Sequence, residues 1–250
     1  MKKIIALVAT VCSLGLGTAF AQLGMGPQYD GAMNKLFGDN RTFTARMEIQ
    51  SSTGDSNTIS TPGQLSFDHG KSRFEMNMGD VQGSIISPEA IQQMKAMGMD
   101  LTIFISRPDL KVSYIIYPGL KSYLQVAAKD TSGNANPDDY KLDVTADGKE
   151  TLDGHDCART KATVSDKDGN KHEFTVWNAT DLKNFPVKIA TADGGHPTTM
   201  VYKNVSFAAP DASLFDPPAD YTKYDNQQAM MQAIMMKKFG GAAGGPPPGQ

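Results

Sequence analysis

The chain alternates apolar and polar residues over short runs, and this period of two constrains its fold more than any other feature. In the run TFTARMEIQ, the apolar members are Phe43, Ala45, Met47 and Ile49. Because successive side chains of a β-strand point to opposite sides of a sheet, such a run predicts a strand with one buried face. The pattern recurs on both sides of a predicted turn at His69-Gly70, where the alternating residues are Leu65, Phe67, Phe74, Met76 and Met78.

Later segments continue in the same style. LTIFIS alternates through Leu101, Ile103 and Ile105, and Pro118-Gly119 separates the next two strand-like runs. Turn signals divide the second half into strand pairs, at Asp147-Gly148, Asp168-Gly169 and Asp193-Gly194-Gly195. We therefore predict a mainly β protein with a few helices, whose antiparallel sheet has about five strands on each side of loop 128–139. The two groups of strands form either one layer or two parts that meet at this loop.

Two segments predict helices. Ser87-Pro88 starts the first and Gly98 ends it, with Ile91 and Met94 on one side. The second spans residues 225–239. At 3.6 residues per turn its apolar residues cover one arc, which predicts one buried side: Met230, Met231, Ile234 and Met235. After it, the Gly- and Pro-rich residues 240–250 predict a disordered tail.

The first 21 residues predict export from the cytoplasm. Lys2 and Lys3 precede a short apolar run, and Ala19-Phe20-Ala21 matches the small-residue pattern of a secretory signal peptide. Cleavage after Ala21 would make Gln22 the first residue of a periplasmic or secreted chain. The apolar run is too short for a membrane span, and the residues around Cys12 do not predict lipidation. Residues 22–40 then form an N-terminal segment before the first strand.

Charge and cysteine content exclude some classes of partner and fold. Removing Lys2 and Lys3 from the 24 basic residues leaves 22 against 27 acidic ones, a net charge of about −5. This balance argues against nucleic acid as a partner. Cleavage also leaves Cys157 as the single cysteine, so the exported chain forms no intramolecular disulfide and depends on its apolar core.

No motif predicts an enzyme, and we expect no catalytic residue, cofactor or metal. The sequence lacks the nucleophile elbow, the His-Glu-x-x-His pattern, the phosphate-binding loop and the dinucleotide fingerprint. GHDCAR brings two reactive residue types together, because His155 two residues before Cys157 could lower the thiol pKa. The alternative interpretation makes Cys157 a small core residue with His155 in a turn, and we favour it.

Several segments resemble the lipoprotein-carrier (LolA-like) superfamily. They are TFTARMEIQ, GQLSFDHGKSRFEMN and ISRPDLKVSYIIYPGLKSY near the start, and FPVKIATAD, MVYKNVSF and DASLFDPPADY near the end. The last segments are most similar to an uncharacterised secreted branch of that superfamily. The resemblance covers residues 41–224. It implies a strongly curved antiparallel sheet, a half-barrel, whose concave face is covered by helices that enclose acyl chains.

Methionine is the residue type in excess, with 14 in the chain. Three interpretations compete. The methionines pack a core; they line an adaptable cavity for apolar ligands; or their soft thioethers bind Cu(I), as in periplasmic copper proteins. The alternation places most of them on apolar faces, which favours the first two interpretations over the third.

From these observations we predict a non-enzymatic periplasmic or secreted protein that binds a hydrophobic, lipid- or acyl-type ligand, with a carrier role in envelope lipid or lipoprotein handling. The alternatives are an interaction module without a ligand, which docks on another envelope protein through its methionine-rich helix, and a copper-binding protein. We expect ten residues to contact the ligand: Met47, Ile49, Phe74, Met76, Met78, Met94, Leu101, Ile103, Met230 and Ile234.

Overall fold

A computed structural model of the chain describes residues 31–52, 58–83, 86–127, 136–192 and 197–239, with side chains as far as residue 236. The expected signal peptide, Cys12, the tail 240–250 and the predicted turn at residues 193–195 lie outside the described residues. The same is true of most of the loop 128–139. For these segments the sequence-based predictions stay predictions.

The alternating segments form strands, as the period of two predicts. The described residues hold twelve strands, six on each side of loop 128–139 instead of about five, and the last of them lies in a segment without alternation. The predicted turn at His69-Gly70 joins β2 to β3, and both residues have positive φ, 49° and 88°. Glycine adopts this region without steric cost, which suits it to the second turn position. The strands are β1 (Thr42–Ser52), β2 (Thr58–Asp68), β3 (Lys71–Asn77), β4 (Leu101–Arg107), β5 (Val112–Tyr117), β6 (Ser122–Ala127), β7 (Lys141–Leu152), β8 (His155–Ser165), β9 (Lys171–Ala179), β10 (Phe185–Thr191), β11 (Thr198–Ser206) and β12 (Thr222–Tyr224).

All twelve strands belong to one open, curved sheet. Their order is β12-β6-β5-β4-β3-β2-β1-β11-β10-β9-β8-β7. Neighbouring strands are antiparallel, except that β12 pairs with β6 in parallel. Because β1 pairs with both β2 and β11, it joins the strands that precede the loop 128–139 to those that follow it. The sequence left open whether the sheet divides at this loop. In the structure the strands on both sides of the loop form one continuous sheet.

One face of the sheet, which we call the inner face, carries a continuous apolar row across the first half. Cross-strand pairing aligns one residue from each of seven strands along this row. Each of them is buried in, or packed against, the same large cluster as the buried residues of the helices. The row consists of Ala45, Leu65, Phe74, Phe104, Ile115, Leu124 and Tyr224.

The opposite face, which we call the outer face, has a smaller apolar cluster of its own. Ile103 and Ile116 pair across β4 and β5, and both are buried together with Ile105. Phe215 completes this cluster and is only 1% exposed. It belongs to a 3₁₀ turn at Ala212–Phe215, in the segment that precedes β12. The sheet is therefore covered on both faces around β4 and β5.

In the described part of the chain, three α-helices contribute buried residues to the inner cluster: α1 (Gly31–Leu36), α2 (Pro88–Met97) and α3 (Gln227–Phe239). The sequence predicted α2 correctly: the Ser87 side chain accepts a hydrogen bond from the Ala90 amide, and Gly98 ends the helix at φ 77°. Gly98 also packs on Gly119 of the β5–β6 turn, where a Cβ would lie 2.9 Å from the carbonyl oxygen. Glycine is thus required both for the backbone conformation and for the close contact.

Candidate functional site

Most of the described methionines belong to one large apolar core. Twelve of the 14 methionines lie among the described residues, and eight of these are buried in the single large apolar cluster. Met97 and Met231 pack against the same cluster. The eight, which we call the methionine cluster, are Met33, Met47, Met76, Met78, Met94, Met99, Met200 and Met230. Ten of the twelve described methionines therefore face the apolar interior, as the alternation predicts.

The strands supply the fixed side of this cluster. Met47 and Met76 both pair with Gly63, from the two neighbouring strands, so one row of the inner face reads Met47, Gly63, Met76. The missing side chain at Gly63 leaves room for the ring of Phe74, which lies against it. Ile49 pairs with Met200 and is half-buried against the same cluster. Met78 is buried in the 3₁₀ turn Met78–Asp80 rather than in a strand.

The helices supply the other side, and each does so with a methionine. Met94 is the one residue of α2 that is buried, at 2% exposure. Met230 of α3 is fully buried, and Ile234, one turn later, packs partly against the cluster. Met33 is the buried methionine of α1. Eight of the ten residues predicted to contact a ligand thus belong to, or pack against, one cluster between the sheet and the helices.

Leu101 and Ile103 are not brought to this cluster. Phe104 pairs with Phe74 on the inner face, so Ile103, one residue away, points to the outer face and joins the smaller cluster with Phe215. Leu101, two residues earlier, has the same orientation as Ile103 because side chains alternate along a strand. The strand was predicted correctly, but its core-facing side was not. Both faces of β4 are covered. Of its two sets of alternating residues, the one that holds Ile103 is the more apolar, and this set lies on the outer face.

The buried side of α3 is also narrower than predicted. Met235 and Met236 are 52% and 74% exposed, whereas the sequence placed Met235 on the arc that faces the sheet. The burial of Met230, with partial burial of Met231 and Ile234, centres the packed stripe about 100° away from Met235 at 3.6 residues per turn. The helix begins at Gln227. The side chain of the preceding residue, Asn226, caps it by accepting a hydrogen bond from the Ala229 amide at 2.8 Å.

Sequence reasoning missed an aromatic group at one end of the inner cluster. The ring centroids of Phe37, Phe43 and Phe67 lie 5.0–5.5 Å apart, and Phe185 and Tyr202 pack edge-on against them. Phe37 follows α1, whose buried residues Ala32, Met33 and Leu36 recur at helical spacing. That spacing was a usable signal within the segment 22–40, which was predicted only as an N-terminal segment.

The inner cluster carries no buried charge among the described residues. The polar side chains buried there or elsewhere are neutral: Asn34, Ser66, Ser72, Thr102 and Ser122. Burial raises the pKa of Tyr117 to about 12, so its phenol also stays neutral at physiological pH. An environment of this kind favours an apolar guest and disfavours an ion.

Three grooves on the described surface lie away from the methionine cluster. The first, of about 350 Å³, has a floor of Phe37 and Phe67 and a rim that includes Arg41 and His69. The second, of about 570 Å³, lies beside Lys188 and Lys203, and the third, of about 460 Å³, lies beside Cys157. None of the ten predicted ligand contacts lines any of these three. Met47, Met94 and Met230 are at most 2% exposed, so these three predicted contacts are packed in this structure.

Cys157 has the geometry of a core residue. It is 2% exposed, and its Sγ donates to the His155 carbonyl oxygen at 3.4 Å. Desolvation by burial raises the pKa of the thiol, which lowers the thiolate fraction at neutral pH. The His155 ring lies 2.8 Å, Nδ1 to Oδ2, from Asp181 instead of engaging the sulfur. The arrangement fits the core interpretation of GHDCAR and lacks the features that activate a nucleophile.

The described part of the chain offers neither a candidate membrane span nor a candidate metal site. Within it, no helix combines the length and apolar character that crossing a membrane requires. Across the same residues, no group of three or more His, Cys, Asp and Glu side chains is placed to hold a metal ion.

The chain is similar to several solved structures at low sequence identity. One is a LolA superfamily protein from Nitrosomonas europaea, at 12% identity and a TM-score of 0.40, covering 74% of this chain and 94% of that one. Another is the lipoprotein LppX from Mycobacterium tuberculosis, at 11% identity and a TM-score of 0.39, covering 78% and 99%. The first of these carries the name of the superfamily that the sequence motifs resemble. No family model matches the chain, and no curated protein matches it in sequence.

Proposed function

We propose that this protein binds a hydrophobic, lipid- or acyl-type ligand between the inner face of its sheet and its helices, and that it acts as a carrier in envelope lipid or lipoprotein handling. The helices would cover the concave face of the sheet. The protein would work in the periplasm or outside the cell after cleavage at Ala21/Gln22, without catalysing a reaction. Its partners would be lipid or lipoprotein acyl chains and the envelope proteins that exchange them.

The methionine cluster is the observation that carries this proposal. Each of the three described helices buries a methionine in the large apolar cluster that also holds Met47, Met76 and Met200 of the sheet. Unbranched thioether side chains change rotamer at little cost and fill irregular spaces, so such a contact can separate and re-form around guests of different shape. A core that needed only to be stable would gain more from Leu, Ile and Phe, whose rotamers are better defined.

The chemical class of the ligand follows from the surroundings. The inner face is apolar over the full row from Ala45 to Tyr224, and the described buried residues include no charged side chain. An acyl chain presents apolar surface alone and contributes about 0.8 kcal/mol for each CH₂ group removed from water. The sequence resemblance to the carriers supports the same class.

The packed state of the site requires an opening step. Met94 and Met230 are 2% and 0% exposed, so a ligand reaches these two side chains only if the packing around α2 and α3 opens. Helix α3 is the better candidate for a lid, because Gly98 at the end of α2 packs closely on Gly119, whereas the last described side chains of α3 are exposed. We therefore propose α3 as the lid over the site.

Titration with a fluorescent fatty acid, cis-parinaric acid, tests this function in a matched pair of variants. Met94→Gln places a polar group in the inner cluster, and Ile103→Thr does the same in the outer one. Each substitution lowers stability through a buried polar atom. We expect saturable binding by the wild-type protein, an affinity at least tenfold lower for Met94→Gln, and a change below twofold for Ile103→Thr.

Other outcomes would point to other functions. Equal losses in both variants would mean that the probe binds outside the inner cluster, and no saturable binding would mean that the cluster is core alone. In the second case, pull-down of an envelope protein that depends on the exposed Met235 and Met236 would favour the interaction module. Tight binding of Cu(I), removed by substituting the same two methionines, would favour a copper protein.

A further inference from the structure

The segment between β11 and α3 crosses from one face of the sheet to the other around its edge. We call residues 211–224 the strap. Phe215 and Tyr221 belong to the outer cluster, whereas Tyr224 packs against the inner one. Between them the chain passes the edge strand β6, to which Thr222–Tyr224 adds as β12. After Tyr224 two exposed residues, Asp225 and Asn226, lead into α3 on the inner side.

Side chains of β3 and β4 hold the outer part of the strap. Arg73 donates from Nη1 to the Leu214 carbonyl oxygen at 3.0 Å, and Arg107 donates to the Phe215 carbonyl oxygen at 3.4 Å. Arg107 also forms an ion pair with Asp216. The two arginine side chains are only 12% and 14% exposed, so these contacts are partly shielded from water and salt.

The rest of the strap is held as well. The Lys71 Nζ lies 5.2 Å from the centre of the Phe215 ring, a cation–π contact over a ring that is itself fully buried. At the sheet edge, the Lys121 side chain forms an ion pair with Asp220 at 2.9 Å. The Lys121 carbonyl oxygen accepts a hydrogen bond from the Thr222 amide, also at 2.9 Å. The strap therefore has a buried aromatic anchor, backbone pairing and several charged contacts.

Helix α3 has far fewer contacts in the described residues. It buries Met230 fully and Met231 and Ile234 in part, while Met235 and Met236 are exposed. A helix of 13 residues is only marginally stable without tertiary contacts. The two elements also adjoin through Asp225 and Asn226, which are exposed and outside regular structure.

We propose that α3 is a lid tethered to a fixed strap, which swings about Asp225–Asn226 while residues 211–224 stay in place on the outer face. Phe215 is the anchor of the strap and Met230 is the latch of the lid. This inference deepens the proposed function, since it names the moving element of that site, but it concerns motion and not ligand chemistry. The tether keeps the lid beside its site in the open state, so closure remains intramolecular and fast.

Hydrogen exchange of the full chain, read by mass spectrometry, tests this division. In the wild-type protein we expect the amides of residues 230–239 to exchange at least tenfold faster than those of Leu214, Asp216 and Thr222, which are bonded within the strap or to the sheet. Similar rates in both groups would show that the strap and helix open as one unit, and would overturn the proposal.

Two variants test whether the elements open separately. Met230→Ala should raise exchange of α3 at least tenfold and that of Leu214 and Asp216 less than threefold. Phe215→Ala should raise exchange of Leu214 and Asp216 at least tenfold and that of α3 less than threefold. If either variant fails to fold, Asn226→Ala, which removes the cap at Ala229, and Asp216→Asn, which removes one ion pair of the strap, replace them with the same expected separation.

A change in both elements by the same factor, in either variant, would contradict the hinge. The outcome is independent of the ligand. Separate opening without any binding of cis-parinaric acid would support the hinge and contradict the proposed function. Saturable binding without separate opening would support the proposed function and contradict the hinge. If both hold, the fatty acid should change exchange of α3 at least threefold and leave Leu214 and Asp216 unchanged.

Discussion

Gly63 lies directly beneath the ring of Phe74. A Cβ atom at position 63 would come within 2.4 Å of Phe74 Cε2 and Cζ and within 2.5 Å of the Glu75 carbonyl oxygen. Because one of these obstacles is backbone, a rotamer change of Phe74 cannot remove the clash. Gly63 thus lets an aromatic ring lie across β2 in the row that also holds Met47 and Met76.

We expect Gly63→Ala to destabilise the protein by about 1–3 kcal/mol, as for other substitutions that overpack a core. The measurement is the free energy of unfolding in urea. Gly79→Ala is the control, because the nearest atom to its Cβ is the Asn77 Oδ1 at 3.1 Å, at the end of a side chain. Equal stability of Gly63→Ala and wild type would show that the Phe74 ring does not occupy this position in solution.

The Gly63 contact also shows how far the sequence leads. Alternation alone predicted the strands of Met47 and Phe74 and their shared face, because one buried face imposes a period of two. It could not predict that Gly63 makes space for a ring, since this depends on which strands pair and in what register. The same limit explains Ile103: a strand covered on both faces has no polar side to mark the outside.

Asp68, at the end of β2, accepts three hydrogen bonds. Burial would raise the pKa of its carboxyl, but hydrogen bonds from Lys71, His69 and Thr42 outweigh this effect and lower the pKa from 3.8 to about 2. A folded-state pKa below that of the unfolded chain stabilises the fold above about pH 4, and this stability is lost as the pH falls towards 2. The contribution is at most about 2 kcal/mol, because the partly exposed pair is screened.

Asp68→Asn should therefore lower the free energy of unfolding at pH 7 by about 1–2 kcal/mol, and the difference from wild type should shrink between pH 4 and pH 2. Urea unfolding at pH 7, 4 and 2.5 measures this. Asp143→Asn removes an exposed ion pair with Lys141 and should change stability by less than about 0.5 kcal/mol. A difference between wild type and Asp68→Asn that is constant with pH would refute the role of this carboxylate.

Cys157 should behave as a core residue. Because burial raises the pKa of its thiol, native protein should react with a thiol reagent near pH 7 at least tenfold more slowly than protein unfolded in urea. Cys157→Ser should cost about 1–3 kcal/mol through a buried hydroxyl and leave binding of cis-parinaric acid unchanged. Rapid reaction of the native thiol would instead support a reactive cysteine.

Helix α3 can be removed as a unit. Truncation after Tyr224 should expose the surface that Met230 covers, increase binding of a hydrophobic dye and reduce stability by about 1.5–3 kcal/mol, the value of one fully buried methionine. Deleting only residues 240–250 is the matched control and should leave dye binding and stability unchanged. If the truncation after Tyr224 also changes neither quantity, α3 is not a lid and the docking alternative gains.

The candidate site could be predicted in outline and not in its boundaries. Met94 and Met230 were identified because helical spacing places them on an apolar side, whereas Met235 was misplaced because the width of a buried stripe depends on the neighbouring elements. The strap was missed for a different reason. Phe215 lies between prolines in a segment without periodicity, and the arginines that hold the strap, Arg73 on Leu214 and Arg107 on Phe215, are more than 100 residues away in sequence.

Native mass spectrometry of the full protein, purified from the envelope of its own cells, tests the central claim most directly. The account predicts a fraction of molecules with a bound lipid or acyl species, lost on truncation after Tyr224 and retained on deletion of residues 240–250. Protein that carries no lipid in any preparation and takes up none from lipid vesicles would contradict it, and a mass increase equal to bound copper would favour the metal function instead.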